Sequence, residues 1–331
     1  MNIADIGEVA LIQRLINMAR KAGLATTSSA LLVGPGDDAA VWRPESGAAL
    51  STTDTVVEGV HFTRTTIPWP DLGWKVMAAN LSDIAAMGGT PLYALVTLGL
   101  PPNTSVADVE ELYQGIIDSC REYHVAIAGG DAVASSTAFV SIVLNGSHDG
   151  TPLLRSQAAQ GDLLAVTGPL GSSQGGLELL TAGEAGVDKA AYEHLCLAHR
   201  RPLPRLDEGR TLADLGVRAA MDISDGLIED LARMMEASGS AARVDAWRVP
   251  VHPLLADAFP ERALAMALSG GEDYQLLYAA PPTLMKATLA RIPEAAVIGS
   301  VVEGSPGHIS VVDREGKEQM LPHRGWDHFH L

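Results

Sequence analysis

Cysteine is almost missing from this chain. Cys120 and Cys196 are the only two among 331 residues, and neither stands in a CxxC pair. That excludes a disulfide framework and argues against a zinc cluster. Basic residues are also in deficit, with 23 Lys and Arg against 40 Asp and Glu and a net charge of −17. Non-specific nucleic-acid binding and adhesion to anionic membranes both need clustered Lys and Arg, so this balance speaks against either. No apolar run approaches the ~18 residues of a membrane span. The opening stretch MNIADIGEVALIQRLI carries acids early and reads as an amphipathic helix rather than a signal peptide. A reducing cytoplasm fits these features. The chain lacks GxxxxGK[ST], GxSxG and HExxH, which removes P-loop, hydrolase-elbow and zincin readings. The glycine-rich loop at 168–176 has neither a Lys nor GxGxxG spacing and reads as an ordinary strand-to-helix turn.

What is present is a series of short acidic and glycine-containing runs. They are Gly36-Asp37-Asp38-Ala39-Ala40, Ser51-Thr52-Thr53-Asp54-Thr55, Asn80-Leu81-Ser82-Asp83, Gly129-Gly130-Asp131, Asp222-Ile223-Ser224-Asp225-Gly226 and Gly270-Gly271-Glu272-Asp273-Tyr274. Gathered carboxylates repel one another and call for cations, and oxygen-only ligands select magnesium or manganese over softer metals. Any one Asp-Gly pair is more often a plain turn or helix cap. Several of them, each after an apolar strand or on a helix, point to a magnesium-dependent, phosphate-handling protein. Asn80 and Asp83 are three apart on a predicted helix and so share a face. Asp222 and Asp225 flank Ser224 at a strand-to-helix turn, where free backbone N–H groups receive anions.

Hydrophobic periodicity places these runs in an α/β alternation. Residues 5–22 pattern as a helix with Ile6, Val9, Ile12, Leu15, Ile16 and Ala19 on one face. A strand over Ala49 to Val57, a helix from Asp71 to Met87 stopped at Gly88, a strand over Tyr93 to Leu100 and a helix over Asp108 to Tyr123 follow. Strands over Val125 to Ala128 and Phe139 to Gly146 complete a domain to about residue 150. Residues 149–161 read as a connector. A second alternation then begins, with strands over Asp162 to Thr167 and Ala219 to Ile223 and a helix over Ile228 to Ala237 ending near Gly239. The length agrees with two domains.

Taken together and in order, GDDAA, STTDTVVEGVHF, NLSDIAAMGG, GGD, MDISDGL, LSGGEDYQLL and the final GWDHF make a set that resembles the thiamine-monophosphate kinases. The resemblance runs from about residue 5 to residue 329. That family shares a superfamily with phosphoribosylaminoimidazole synthetase and selenophosphate synthetase. The resemblance implies a two-domain, aminoimidazole ribonucleotide synthetase-like α/β fold with mixed sheets. An N-terminal ATP- and magnesium-binding domain over 1–150 would give strands to a homodimer barrel, and a C-terminal domain would span 151–331. It implies phosphoryl transfer from ATP to thiamine monophosphate, giving thiamine diphosphate and ADP with several Mg²⁺ ions.

Residue by residue, Asp38, Thr52, Thr53, Asp54, Asp83, Asp131, Asp222 and Asp225 match the family's magnesium positions. His61, Glu272 and Trp326 match positions that contact the thiamine substrate, and Gly130, Arg155 and Ser224 match positions near the nucleotide. Thr52-Thr53-Asp54 stands where Ser-Thr-Asp is often seen, and Trp326 where Tyr also occurs; the hydroxyl and the aromatic face are kept. No general base or nucleophile is assigned, because a phosphate monoester acceptor is already ionised near neutral pH. Selenophosphate synthetases carry an early Cys or selenocysteine, and no Cys precedes Cys120 here. The hydrogenase-maturation relative ends in a Cys-bearing tail, whereas this chain ends His328-Phe329-His330-Leu331.

Overall fold

The computed structural model describes residues 1–24, 30–35, 40–43, 47–183 and 186–319. The chain divides into two compact units: residues 1–84 with 90–150, and residues 85–89 with 151–331.

In the first unit, α1 (Ile3–Lys21) leads to β1 (Leu31–Val33), β2 (Val41–Trp42), β3 (Ala48–Val57), α2 (Trp69–Ala86), β4 (Thr90–Leu100), α3 (Val106–Glu122), β5 (Ala126–Ala134) and β6 (Phe139–His148). The last residues of α2 fall in the second unit. Four strands form a mixed sheet in the order β3-β6-β4-β5, in which only β4 and β5 run parallel. Alternation decides the two faces. Ala94, Val96, Leu98, Val140, Ile142 and Leu144 are buried on one of them. Thr55, Ser141, Thr97 and Asp131 lie in one row across the other, which is partly exposed. Ser105 caps α3 through its hydroxyl.

Helix α1 differs from its expected pattern. Leu11, Leu15 and Ala19 are its buried positions, while Val9 is 81% exposed. Gly7 takes non-helical angles (φ 75°, ψ 170°), which sets only Ile6 of the expected face apart; beyond it the buried stripe runs through Leu11, Leu15 and Ala19, one step round the helix from Val9, Ile12 and Ile16. The expected strand at Val125 to Ala128 extends on to Ala134, because β4 offers a parallel partner along that length.

In the second unit, β7 (Leu163–Val166), α4 (Ser172–Ala182), α5 (Lys189–Arg200), α6 (Leu206–Leu215), β8 (Ala219–Asp222), α7 (Leu227–Ala237) and β9 (Ala241–Asp245) come first. They are followed by α8 (Pro253–Ala258), α9 (Ala263–Ser269), β10 (Leu276–Ala280), α10 (Pro282–Arg291), β11 (Ala296–Val302) and β12 (Ile309–Val312). The sheet order is β12-β9-β11-β7-β10-β8, antiparallel except for the β12–β9 pair. Leu164, Val166, Met221, Leu231, Met234 and Leu277 anchor its core against α7 and α9. Both cysteines are buried free thiols, and burial drives the Cys120 thiol well above its ordinary range, so it is chemically quiet.

Candidate active site

Thr52 and Asp54 of edge strand β3 lie against helix α2, which carries Asn80 and Asp83. Thr52 and Asp54 are two apart and so point to the same side of β3. That side pairs with buried Leu144 and Ile142 of β6, which directs both toward α2. Thr52 Oγ1 donates to Asp83 Oδ2. The Asp54 backbone N–H, on the free edge of the sheet, donates to Asn80 Oδ1 at 3.1 Å. Asn80 is fully buried, and its Nδ2 donates to the Val76 carbonyl at 2.9 Å. The Asn80/Asp83 spacing thus bridges helix to strand. His61 follows in the loop after β3, where its Nδ1 accepts the Val57 N–H at 3.1 Å. In the neutral ring the proton therefore sits on Nε2.

Thr53 and Asp131 do not join this group within one chain. Each points to the other face of the sheet, Thr53 in line with Val143 and Asp131 in line with Thr97, at opposite sheet edges. Asp131 Oδ1 accepts the Ala132 N–H at 2.8 Å. Gly130 is required where it stands: a Cβ there would lie 2.0 Å from the Val96 carbonyl oxygen. A cleft of about 610 Å³ opens beside these residues, walled by Ile12, Ile16, Trp42 and Tyr113 and reaching Gly130 and Asp131. Burial holds the Tyr113 phenol far above its usual range, so it remains a neutral hydroxyl.

In the second unit, β8 ends in Asp222, and the chain turns through Ser224, Asp225 and Gly226 into α7. Asp230, fully buried in the first turn of α7, shapes that turn. Its Oδ2 accepts the N–H groups of Ser224 (3.0 Å), Asp225 (3.0 Å) and Gly226 (3.1 Å). Burial and the neighbouring Asp225 push its carboxyl up to about 7, against the pull of Arg233 and the backbone donors. Arg233 also pairs directly with the Asp225 carboxylate. The loop 270–274 lies alongside. The Glu272 N–H donates to the Ser224 carbonyl at 2.7 Å, and the Tyr274 N–H to the Ile223 carbonyl at 2.9 Å. Glu272 (φ 64°) and Tyr274 (φ 50°) both hold left-handed backbone, a strained state that clusters at functional sites. Between them, Asp273 accepts the N–H groups of Gly171 (2.6 Å) and Ser173 (3.2 Å) at the start of α4. Arg155 is exposed ahead of β7, with its carbonyl held by Ser238 Oγ at 2.9 Å.

Asp38 and Trp326 lie outside the described residues. Asp230, Ser173 and His199 carry polar structure at the site that sequence reasoning did not single out; Asp273 stood in the run at 270–274 but was given no role of its own. The position of Asp230, five residues after Asp225 on the helix that the turn opens, was the one available signal; nothing in the sequence marks His199.

Two domain families match. The AIR synthase related protein N-terminal domain covers residues 36–148, and the C-terminal domain covers residues 159–312. The thiamine-monophosphate kinase of Escherichia coli K12 is 34% identical over 329 residues, covering 98% of this chain and 98% of that protein. The chain belongs to the thiamine-monophosphate kinase family. The crystal structure of the Stenotrophomonas maltophilia K279a kinase superposes with a TM-score of 0.81 at 32% identity, covering 92% of this chain and 96% of that one. AaThiL complexed with AMPPCP and TMP superposes with a TM-score of 0.77 at 32% identity, covering 99% of each chain. The family's two-domain architecture with mixed sheets is the one described above.

The family suggests magnesium, and the donor chemistry fits a hard cation. Thr52, Asp54 and Asp83 offer oxygen only, at one strand–helix junction. Among the described residues, no three His, Cys, Asp or Glu side chains gather to hold a metal by themselves. Magnesium is commonly held by one or two carboxylates, with waters and substrate phosphates completing its octahedron, so Asp54 and Asp83 are the residues that would hold it here.

Proposed function

We propose that this kinase transfers the γ-phosphoryl group of ATP directly to the phosphate of thiamine monophosphate, releasing thiamine diphosphate and ADP in thiamine cofactor synthesis. The observation that carries the reading is a match to thiamine-monophosphate kinases over nearly the whole chain, together with an oxygen-only donor set at Thr52, Asp54 and Asp83.

Asp54 and Asp83 would hold magnesium between β3 and α2, and Asp131, with Asp38, would serve the metal on the open face of the sheet; Asp222 and Asp225 would do so in the second unit. Bound Mg²⁺ neutralises the facing phosphates, which otherwise repel. Phosphoryl transfer needs positioning and charge stabilisation more than covalent help. Asn80 therefore serves the reaction by fixing β3 against α2, and Asp230 by presenting the Ser224–Gly226 turn. The cleft beside Gly130 takes the nucleotide base, with Tyr113 and Trp42 as flat partners; in the second unit, Ser224 and Arg155 match the family's nucleotide positions. His61, Glu272 and Trp326 contact thiamine monophosphate. The acceptor oxygen is ionised near neutral pH, so no general base is assigned.

A second copy closing over the open face of the four-stranded sheet belongs to the same reading, since Thr53 and Asp131 face that side. No helix among the described residues is long and apolar enough to cross a membrane.

The test is a product assay. With ATP, magnesium and thiamine monophosphate, the expected product is thiamine diphosphate in step with ADP, with little turnover of free thiamine. Release of inorganic phosphate without thiamine diphosphate would sink the reading.

A further inference from the structure

The polar residues of the second unit left without a role in this scheme centre on His199. It is buried in the last turn of α5. α5 packs closely on α4, and Gly176 makes that possible: a Cβ there would stand 2.0 Å from the Leu195 carbonyl oxygen and 3.0 Å from the His199 Cβ. The approach seats the imidazole beside the first turn of α4. Its Nδ1 lies 3.1 Å from Ser173 Oγ, which is also buried. The same nitrogen lies 3.6 Å from Glu272 Oε2. That is ion-pair range, longer than a well-formed hydrogen bond.

The backbone around Glu272 is pinned independently of this contact. Its N–H is held by Ser224, its neighbour Asp273 is clamped to the start of α4, and its φ is +64°. Pinning the backbone fixes where the side chain begins. It does not fix where the carboxylate ends, because three side-chain torsions lie between. The Glu272 side chain keeps 32% of its surface open, while the ring that meets it is 2% exposed. A rigid buried ring against a partly open carboxylate is how an orienting group is arranged.

We propose that His199 is a positioning residue for Glu272, its Nδ1 seated between Ser173 Oγ and the carboxylate so as to aim that carboxylate at the cationic thiazolium part of the acceptor. The proposal rests on the reading that Glu272 contacts thiamine monophosphate. No covalent step is involved. A misaimed carboxylate weakens recognition of one substrate and leaves the nucleotide side alone.

The decisive measurement is steady-state kinetics with each substrate varied in turn. His199→Leu is expected to raise KM for thiamine monophosphate about tenfold, within the coupling range of touching residues. KM for ATP and kcat should move less than about twofold, inside the scatter of additivity between independent sites. His199→Asn, whose amide nitrogen falls near the Nδ1 position, should recover most of the loss, and Ser173→Ala should give a smaller loss of the same kind. In a Glu272→Gln background, His199→Leu should add nothing further. Equal effects on both substrates, no rescue by Asn, or full additivity with Glu272→Gln would overturn the proposal. If His199→Leu does not fold, Ser173→Ala in the Glu272→Gln background carries the same cycle. A second readout needs no substrate: the His199 ring ¹⁵N resonances of the ligand-free protein should shift on Glu272→Gln. If the wild-type chain makes no thiamine diphosphate, the functional reading fails, and an unmoved ring resonance overturns the His199–Glu272 link separately.

Discussion

The backbone N–H of Asp54 donates to the side-chain oxygen of Asn80 at 3.1 Å, tying the free edge of a sheet to a buried helix. An edge strand otherwise leaves such groups to water or to another chain. The same amide's Nδ2 binds the Val76 carbonyl within its own helix. Both ends of Asn80 are thus committed, and Thr52 and Asp83 meet as a consequence of the register so set.

Replacing Asn80 by Leu keeps the volume and removes the acceptor. The Asp54 N–H then loses its partner in a part-buried setting, at a cost of about 1–3 kcal/mol. A lower melting temperature and a loss of turnover are expected together. Asn80→Asp, which keeps the acceptor oxygen, should fall between. Unchanged melting in Asn80→Leu would show that the tie contributes nothing.

Asp54→Asn and Asp83→Asn are expected to fold and to lose turnover by on the order of 10² or more, as when other preorganised electrostatic groups are removed. Without magnesium their melting temperatures should equal or exceed that of the wild type, because carboxylate repulsion is relieved. Near-normal turnover at low magnesium would remove that position from the metal set.

Asp273 links stability to pH with a definite sign. Burial pushes its carboxyl up to about 7, against the downward pull of the Gly171 and Ser173 N–H groups; the unfolded value is about 3.9. A raised carboxyl favours the neutral form in the folded chain. Its contribution to stability is full below about pH 4 and is lost as pH rises to about 7. Thermal melts across that window should show the wild type losing ground to Asp273→Asn, which cannot ionise. A difference that stays flat from about pH 4 to 8 would rule this out.

Trp326 lies outside the described residues, and its role rests on the GWDHF run. Thiazolium carries a fixed positive charge, and an aromatic face is a suitable partner for it. Trp326→Ala should raise KM for thiamine monophosphate roughly 5- to 30-fold, equivalent to about 1–2 kcal/mol. KM for ATP should stay near its wild-type value, and Trp326→Phe should recover much of the loss. Equal changes for both substrates with a lowered melting temperature would mark Trp326 as an anchor for the chain's end.

By itself the sequence determined what is local or ordered along the chain. The acidic turns, the strands that precede them, the stop of α2 at Gly88 and the α/β alternation follow from period, caps and glycine, all read within a few residues. The family followed from the order of the motifs. Tertiary structure decided which side of each element is covered. Alternation showed that Thr53 and Asp54 point opposite ways, but only the packing of α2 on β3 shows that Thr52 and Asp54 face Asn80 and Asp83 while Asp131 looks the other way. Helix α1 buries Leu11, Leu15 and Ala19 and leaves Val9 exposed, because apolar residues stand on more than one side of it and only the packing decides which side is covered. Thr52 and Asp83 stand 31 residues apart and Gly171 and Asp273 stand 102 apart. Contacts at such separations arise only when helices and sheets close on one another, which is why the Asp273 clamp on α4 and the place of His199 beside Ser173 had no signature in the chain.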